Sequence, residues 1–384
     1  MSTDNYTPSS YTSVVNSLVK HADRIGEGGQ LEATMAEVSA LLARLRATCY
    51  SFLARQLVSD IGPERAGPLL RSAIRSWGRY RGEIIRGHLE ERALPLDVEH
   101  LHNWWDQPSP AEVYGMADGV AQPHFHTHDC TWCPVNDFMT GLCPASLMVL
   151  YCEEVHVAVA KAVNPEIEVW YPALLTRGQA KCVFRFIMSQ EAALRASAVA
   201  HEVRDVRQAA GLPVAEDIHE VAPWRRGVDP VTCYTMLSRL FYRAFHFVTN
   251  EMTRRLGRKT SMSILRKAMR EWGAWRGRDM SQDHLTRGWP LNVENFVKFY
   301  DVPAVADAWV AEDVQLDALS HHRIVTRSVA TEIFAEMGTG VFAVPLYDEA
   351  MPAQAKAYHP AMRLEIPQLM ERGDKVSAYR IAMA

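Results

Sequence analysis

The chain has no long apolar run, no marked excess of either charge and an odd number of cysteines, and each of these excludes a class of protein. No stretch approaches the roughly 18 apolar residues that a membrane-spanning helix needs, so no membrane role is expected. Met1 to Ser13 is polar and lacks the apolar core and cleavage site of a secretory signal, so residues 1–30 are read as a disordered tail and the protein as cytoplasmic. Lys and Arg total 41 against 45 Asp and Glu, a net charge of −4, which leaves no electrostatic footprint for nucleic acid. Seven cysteines in a reducing compartment point to free thiols, metal ligation or catalysis over disulfides. With 384 residues, 48% of them apolar and 22% charged, the chain suits a soluble protein of two or three domains.

What the sequence does contain is itself, twice. Arg71-Ser-Ala-Ile-Arg75-Ser-Trp77-Gly78-Arg-Tyr-Arg81-Gly82 reappears as Arg266-Lys-Ala-Met-Arg270-Glu-Trp272-Gly273-Ala-Trp-Arg276-Gly277, at an offset of 195 (272 less 77). Without a gap, that offset also aligns Pro95-Leu96 with Pro290-Leu291, Asp106 with Asp301, Pro108 with Pro303 and Gly178 with Gly373. Such a register is the mark of a tandem repeat. The expected organisation is a tail to residue 30, a first copy at 31–190, a polar helical connector at 191–230 and a second copy at 231–384.

Each copy reads as helices followed by strands. Leu41 to Val58 has apolar residues at helical spacing and is stopped by Gly62-Pro63. A second helix is predicted from about Pro68 to Leu89, and a third after Pro95 that ends near Pro108. Glu166–Tyr171 and Lys181–Ile187 alternate as strands around a turn at 176–179, and copy two repeats this at 363–366 and 376–381. The predicted class is α+β: two copies of a helical segment on a small antiparallel sheet, related by a pseudo-twofold.

Two clusters carry chemistry. Gly78 and Gly82 share one face of the Arg-Trp-Gly helix, and each costs roughly 1 kcal/mol against Ala, so close approach of a helix or a ligand is expected there. The same glycines are candidate contacts between the halves. Beside them Trp77 and Arg81 lie on a mostly apolar stripe, where an Arg needs a carboxylate. Arg81 and Arg276 then either pair with Asp106 and Asp301, or Arg81 or Arg75 binds a substrate carboxylate with Trp77 alongside.

The second cluster is His124-Phe-His126-Thr-His128-Asp129-Cys130-Thr-Trp-Cys133-Pro134, followed by Cys143, Tyr151-Cys152-Glu153-Glu154-Val155-His156 and Cys182. Copy two has Val325 and near it Val329 for Cys130 and Cys133, and Ser377 for Cys182; with one inserted residue, Asp348 stands for Cys152. Loss of all four thiols together suggests one lost task. Three readings follow. Cys152 or Cys182 is a nucleophile with His156 or His128 as base. Alternatively Cys130, Cys133, His126 and His128 bind a metal, for which zinc is the best match. In the third reading the cysteines are packing residues and the histidines a solvated loop. Cys49 and Cys233 are read as packing residues.

Trp-Gly with Arg, Cys133-Pro134, Tyr151-Cys152-Glu153-Glu154, Asn164-Pro165, and Gly178 with Cys182-Val183-Phe184 together resemble the L-2-amino-thiazoline-4-carboxylic acid hydrolase family. The resemblance covers most of copy one and, more faintly, copy two. It implies hydrolytic opening of a small thiazoline carboxylate, or a related reaction of specialised metabolism. Arg81 or Arg75 would anchor the carboxylate, Cys152 or Cys182 would attack the C=N carbon or organise a metal-bound water, and Glu153 or His156 would shuttle protons. Two alternatives stand beside it: an iron-dependent oxidative enzyme or lyase built on the three histidines and Asp129, and a protein that binds a small molecule or metal without turnover. A duplicated chain is expected to be a monomeric pseudo-dimer or a homodimer.

Overall fold

The structure is a computed structural model that describes residues 33–108, 117–118, 121–130, 134–305 and 307–384. The tail to residue 30 and Cys133 lie outside the described residues. The chain is a mixture of helices and small antiparallel sheets, as the α+β reading expects. It divides into two compact units, one built from residues 33–69, 137–144 and 229–384, the other from 70–136 and 145–228. These units do not coincide with the two halves of the sequence, because the first helix of the chain packs with the second half. No helix among the described residues is long and apolar enough to cross a membrane.

Helix α1 (Met35–Ile61) starts at a capping box, in which Thr34 Oγ1 accepts from the Glu37 N–H and Glu37 accepts from the Thr34 N–H at 2.7 Å. It ends at Gly62, whose φ of 78° suits glycine. Helix α2 (Pro63–Glu91) follows at once. It begins five residues before the expected Pro68, since Pro63 occupies the first turn, where no N–H is needed. Helix α3 (Val98–Asn103), capped by Asp97, is shorter than the stretch to Pro108 that the sequence predicts.

In the unit of residues 70–136 and 145–228, strands β1 (Ala117–Asp118), β2 (Phe125–Cys130), β3 (Glu168–Ala173) and β4 (Cys182–Ile187) form an antiparallel sheet in the order β1-β2-β4-β3. Helix α4 is Pro134–Met139, and helix α5 (Ala145–Val163) contacts β3. The expected strands at 166–171 and 181–187 are β3 and β4, and a 3₁₀ turn at Leu175–Arg177 joins them. Strand β2 was not expected: the His-rich run is a sheet strand and not a solvated loop. Its alternation is carried by imidazoles instead of aliphatic side chains, so a search for apolar period-two residues passes over it.

The connector includes helices α6 (Gln190–Ala209) and α7 (Pro223–Arg226). The other unit holds α8 (Pro230–Leu256), α9 (Arg258–Thr286), α10 (Val293–Lys298) and a sheet of β5 (Trp309–Leu316), β6 (Ser320–Ser328), β7 (Met362–Gln368) and β8 (Ser377–Met383) in the order β5-β6-β8-β7. Elements α1, α2, α3, β2 and β4 begin at 35, 63, 98, 125 and 182, and α8, α9, α10, β6 and β8 at 230, 258, 293, 320 and 377, each 195 later.

The helical glycines admit a neighbouring backbone within each half. A Cβ on Gly78 would lie 2.7 Å from both the Val155 carbonyl oxygen and the Ala158 Cβ of α5, and one on Gly82 would lie 2.6 Å from the Ala162 Cβ. A Cβ on Gly273 would meet Ala350 backbone atoms at 2.7 Å. Gly87, further along α2, has nothing within 4 Å. Gly82→Ala is therefore expected to destabilise the protein by about 1–3 kcal/mol through overpacking, while Gly87→Ala stabilises it by about 0.5–1 kcal/mol through helix propensity. Thermal unfolding of the two variants checks this, and equal shifts would refute the close-packing role.

Candidate active site

The sheet of the second unit presents one chemical face. Along β2, period-two alternation puts His126 and His128 on the same side, and their partners across the ladder are Phe186 and Phe184 on β4. His126 is buried, and its ring lies 6.0 Å from that of His128 and 3.8 Å from that of His102. His128 meets Phe184 edge-on at 5.1 Å. Above this face, α5 supplies His156, whose ring is 4.7 Å from Phe184 and stacks on Trp105 at 5.8 Å and 13°.

His156 has a defined tautomer. Its Nδ1 lies 2.7 Å from the Cys152 carbonyl oxygen one turn earlier in α5. A carbonyl only accepts, so Nδ1 carries the hydrogen and Nε2 keeps its lone pair in the neutral ring. Burial, with the Arg81 and His128 charges adding to it, pushes the imidazole down to about 3 against the opposing pull of the Cys152 carbonyl. At neutral pH the ring is thus uncharged, with a lone pair on Nε2 and its orientation held by the backbone.

Arg81, 2% exposed, lies beside it. Its Nε and Nη2 donate to the two carboxylate oxygens of Asp106 at 2.8 and 2.6 Å, and its guanidinium rests against the rings of Trp77 and Trp105. This is the Arg–Asp pairing, one of the two alternatives expected from the sequence. It uses two donors of the fork, leaving the Nη1 edge as the one that can meet a substrate carboxylate. Trp77 is buried and packs 5.5 Å from Tyr151.

The other expected site residues divide. Cys152 is buried on α5, one turn before His156. Cys182 is also buried, but its sulfur accepts the Leu175 N–H at 3.2 Å and so closes the 3₁₀ turn, and burial raises its thiol pKa. Ser377 does the same for the Met370 N–H at 3.0 Å, which shows that this turn needs an acceptor and not a thiol. Glu153 faces outward and pairs with Arg177 at 2.6 Å. Arg75 is more than half exposed and pairs with Glu154. Glu153, Glu154 and Arg75 line a surface groove of about 930 Å³. Cys130 stands opposite Cys182 in the strand register. Among the described residues no three His, Cys, Asp or Glu side chains are placed to hold a metal ion. Cys143 belongs to the other compact unit, beside Ser51 and Arg55. Cys49 and Cys233 are buried, as the packing reading expects.

Corresponding ion pairs correct one alignment. Arg75 pairs with Glu154 and Arg270 with Glu349; Arg177 pairs with Glu153 and Arg372 with Asp348. Both carboxylates keep the offset of 195, so no residue is inserted, and Cys152 corresponds to Tyr347 and not to Asp348. His102, against His126, and Trp105, against His156, are not among the residues expected from the sequence. Their signal was position alone, next to an Asp already suspected of pairing with Arg81.

Residues 43–186 match the model of the L-2-amino-thiazoline-4-carboxylic acid hydrolase family. No curated protein and no solved structure matched the chain.

Proposed function

We propose that this chain, whose residues 43–186 match the L-2-amino-thiazoline-4-carboxylic acid hydrolase family, is a hydrolase that opens a small thiazoline carboxylate at the site around His156. The observation that carries the reading is a neutral imidazole whose Nδ1 is fixed by the Cys152 carbonyl, with Arg81 close enough to lower its pKa. A ring of this size stacks on Trp105 or Phe184, and its carboxylate meets the Nη1 edge of Arg81. His156 Nε2 takes a proton from the attacking group and returns it to the ring nitrogen as the C=N carbon becomes tetrahedral. The attacking group is the Cys152 thiol, on the His156 face of α5. The tetrahedral adduct collapses by breaking the ring C–S bond, whose sulfur leaves and is protonated to a thiol. Water then adds to the same carbon and displaces the Cys152 sulfur, giving a ring-opened urea and the free Cys152 thiol. Cys182 has no part in this step, because its sulfur is held in the turn.

The direct test is incubation of the purified full chain with L-2-amino-thiazoline-4-carboxylate, monitoring loss of the ring by mass spectrometry. Turnover by the wild type and its loss in Cys152→Ser are expected. Wild-type protein that leaves the ring intact removes the substrate class; undiminished turnover by Cys152→Ser makes water the attacking group.

We also infer that the halves descend from one unit. The common offset of five pairs of element starts and the shared sheet order support this.

A further inference from the structure

The second half keeps a cavity where its thiols are gone. Within the unit formed by residues 33–69, 137–144 and 229–384, a cavity of about 140 Å³ lies between the helices and the inner face of the β6–β8 sheet. Its aromatic walls include Tyr242, Trp272 and Tyr379. An apolar cavity of about 150 Å³ takes up benzene, so this one has the volume of a single five- or six-membered ring.

Its electrostatics select the charge of that ring. Arg276 lines the cavity, but Asp301 already takes its Nε at 2.8 Å and also its Nη2. Arg323 donates to Asp313 at 2.9 Å. Both cations that line the space therefore have carboxylates, and a bound anion would add an unbalanced buried charge.

His321 selects the polar group. It is 4% exposed and lines the cavity. Its Nε2 is 2.8 Å from Asp313 Oδ1. Although burial alone would raise Asp313, hydrogen bonds from His321 and Arg323 hold it down to about 2, so it is an ionised acceptor and Nε2 is the protonated nitrogen. In the neutral ring Nδ1 is then the lone-pair nitrogen, and it is buried with no hydrogen-bond partner. A buried acceptor without a donor is a standing cost that an incoming N–H or O–H removes. The thiols of the first half have no counterpart here: Tyr347 stands at the position of Cys152, and Val325 faces Ser377 where Cys130 faces Cys182.

We propose that this cavity is a binding site for an uncharged five- or six-membered ring that carries one N–H or O–H donor directed at His321 Nδ1. The second half is on this reading a ligand-binding lobe in its own right.

The full chain, labelled with ¹³C at its methionine methyl groups, is titrated with phenol, benzene, anisole and benzoate and followed by NMR. Met351 and Met370 line the cavity and report on its occupancy. Phenol is expected to shift both resonances and to bind about tenfold more tightly than benzene, anisole or benzoate, the difference that one hydrogen bond supplies. In His321→Phe, phenol falls to the affinity of benzene while benzene is unaffected. Phenol that binds no better than anisole, benzoate that binds better than phenol, or shifts confined to other methionines would each overturn the proposal. The wild-type ligand series decides alone if the variant does not fold.

Discussion

Replacing His156 with Gln is expected to lower kcat for thiazoline opening by about 10²–10⁴-fold, the range associated with loss of a positioned general base. Gln keeps a hydrogen-bonding side chain of similar reach but has no basic nitrogen. The circular dichroism spectrum should be unchanged, because what is removed is the proton acceptor and not a packing element. The pH profile separates catalysis from structure. The imidazole is held down to about 3, so it remains neutral well below the ordinary histidine range. The wild-type rate should therefore show no descending limb near pH 6.5 and should fall only as the pH approaches about 4. A limb at the ordinary histidine pKa, or a His156→Gln variant of full activity, would remove His156 from the mechanism.

Replacing Asp301 with Ala is expected to destabilise the protein by about 3–5 kcal/mol, the cost of leaving a buried cation uncompensated. Few single changes in the chain remove as much. Asp301 is fully buried and accepts from Arg276 through both carboxylate oxygens, from Arg44 at 3.0 Å and from Gln354 at 2.9 Å. Burial alone would raise its carboxyl pKa, but the Arg276 charge and hydrogen bonds override it and hold the group well below the usual carboxylate range. Its folded pKa is therefore lower than its unfolded one. Its contribution is present above the unfolded value of about 4 and is lost as pH falls below it. Urea unfolding at pH 7 measures the loss in Asp301→Ala. Repeated at pH 3, the gap between wild type and variant should narrow; a gap that stays constant would mean that the carboxylate's charge is not what stabilises this core.

Several features were legible because they depend on local chemistry. Gly62 ends α1 with a positive φ, Gly178 sits in the left-handed region after the 3₁₀ turn, and the alternation of 182–187 is the alternation of β4. The demand of Arg81 for a carboxylate was readable too, since a cation on an apolar helical stripe has few other solutions. The His-rich strand was not, because its inward face consists of imidazoles, and a titratable ring is classed as polar until a sheet buries it. Cysteine spacing along the chain did not show where two of the thiols go. Residues 130, 143, 152 and 182 are near one another along the chain, but residues 137–144 leave for the other compact unit and Cys182 is taken up by a turn.

The sequence by itself determined α1, most of α2, the β3 and β4 strands and the register of 195, because each follows from periodicity or a backbone requirement, while it left Arg81 open between Asp106 and a substrate carboxylate. Only the tertiary structure decided that the His156 ring is buried and held by the Cys152 carbonyl, that Cys182 accepts a hydrogen bond in a turn and that the second half encloses a ring-sized cavity. Those properties depend on desolvation and on which lone pairs remain after packing, and neither is fixed until distant segments close around the same space.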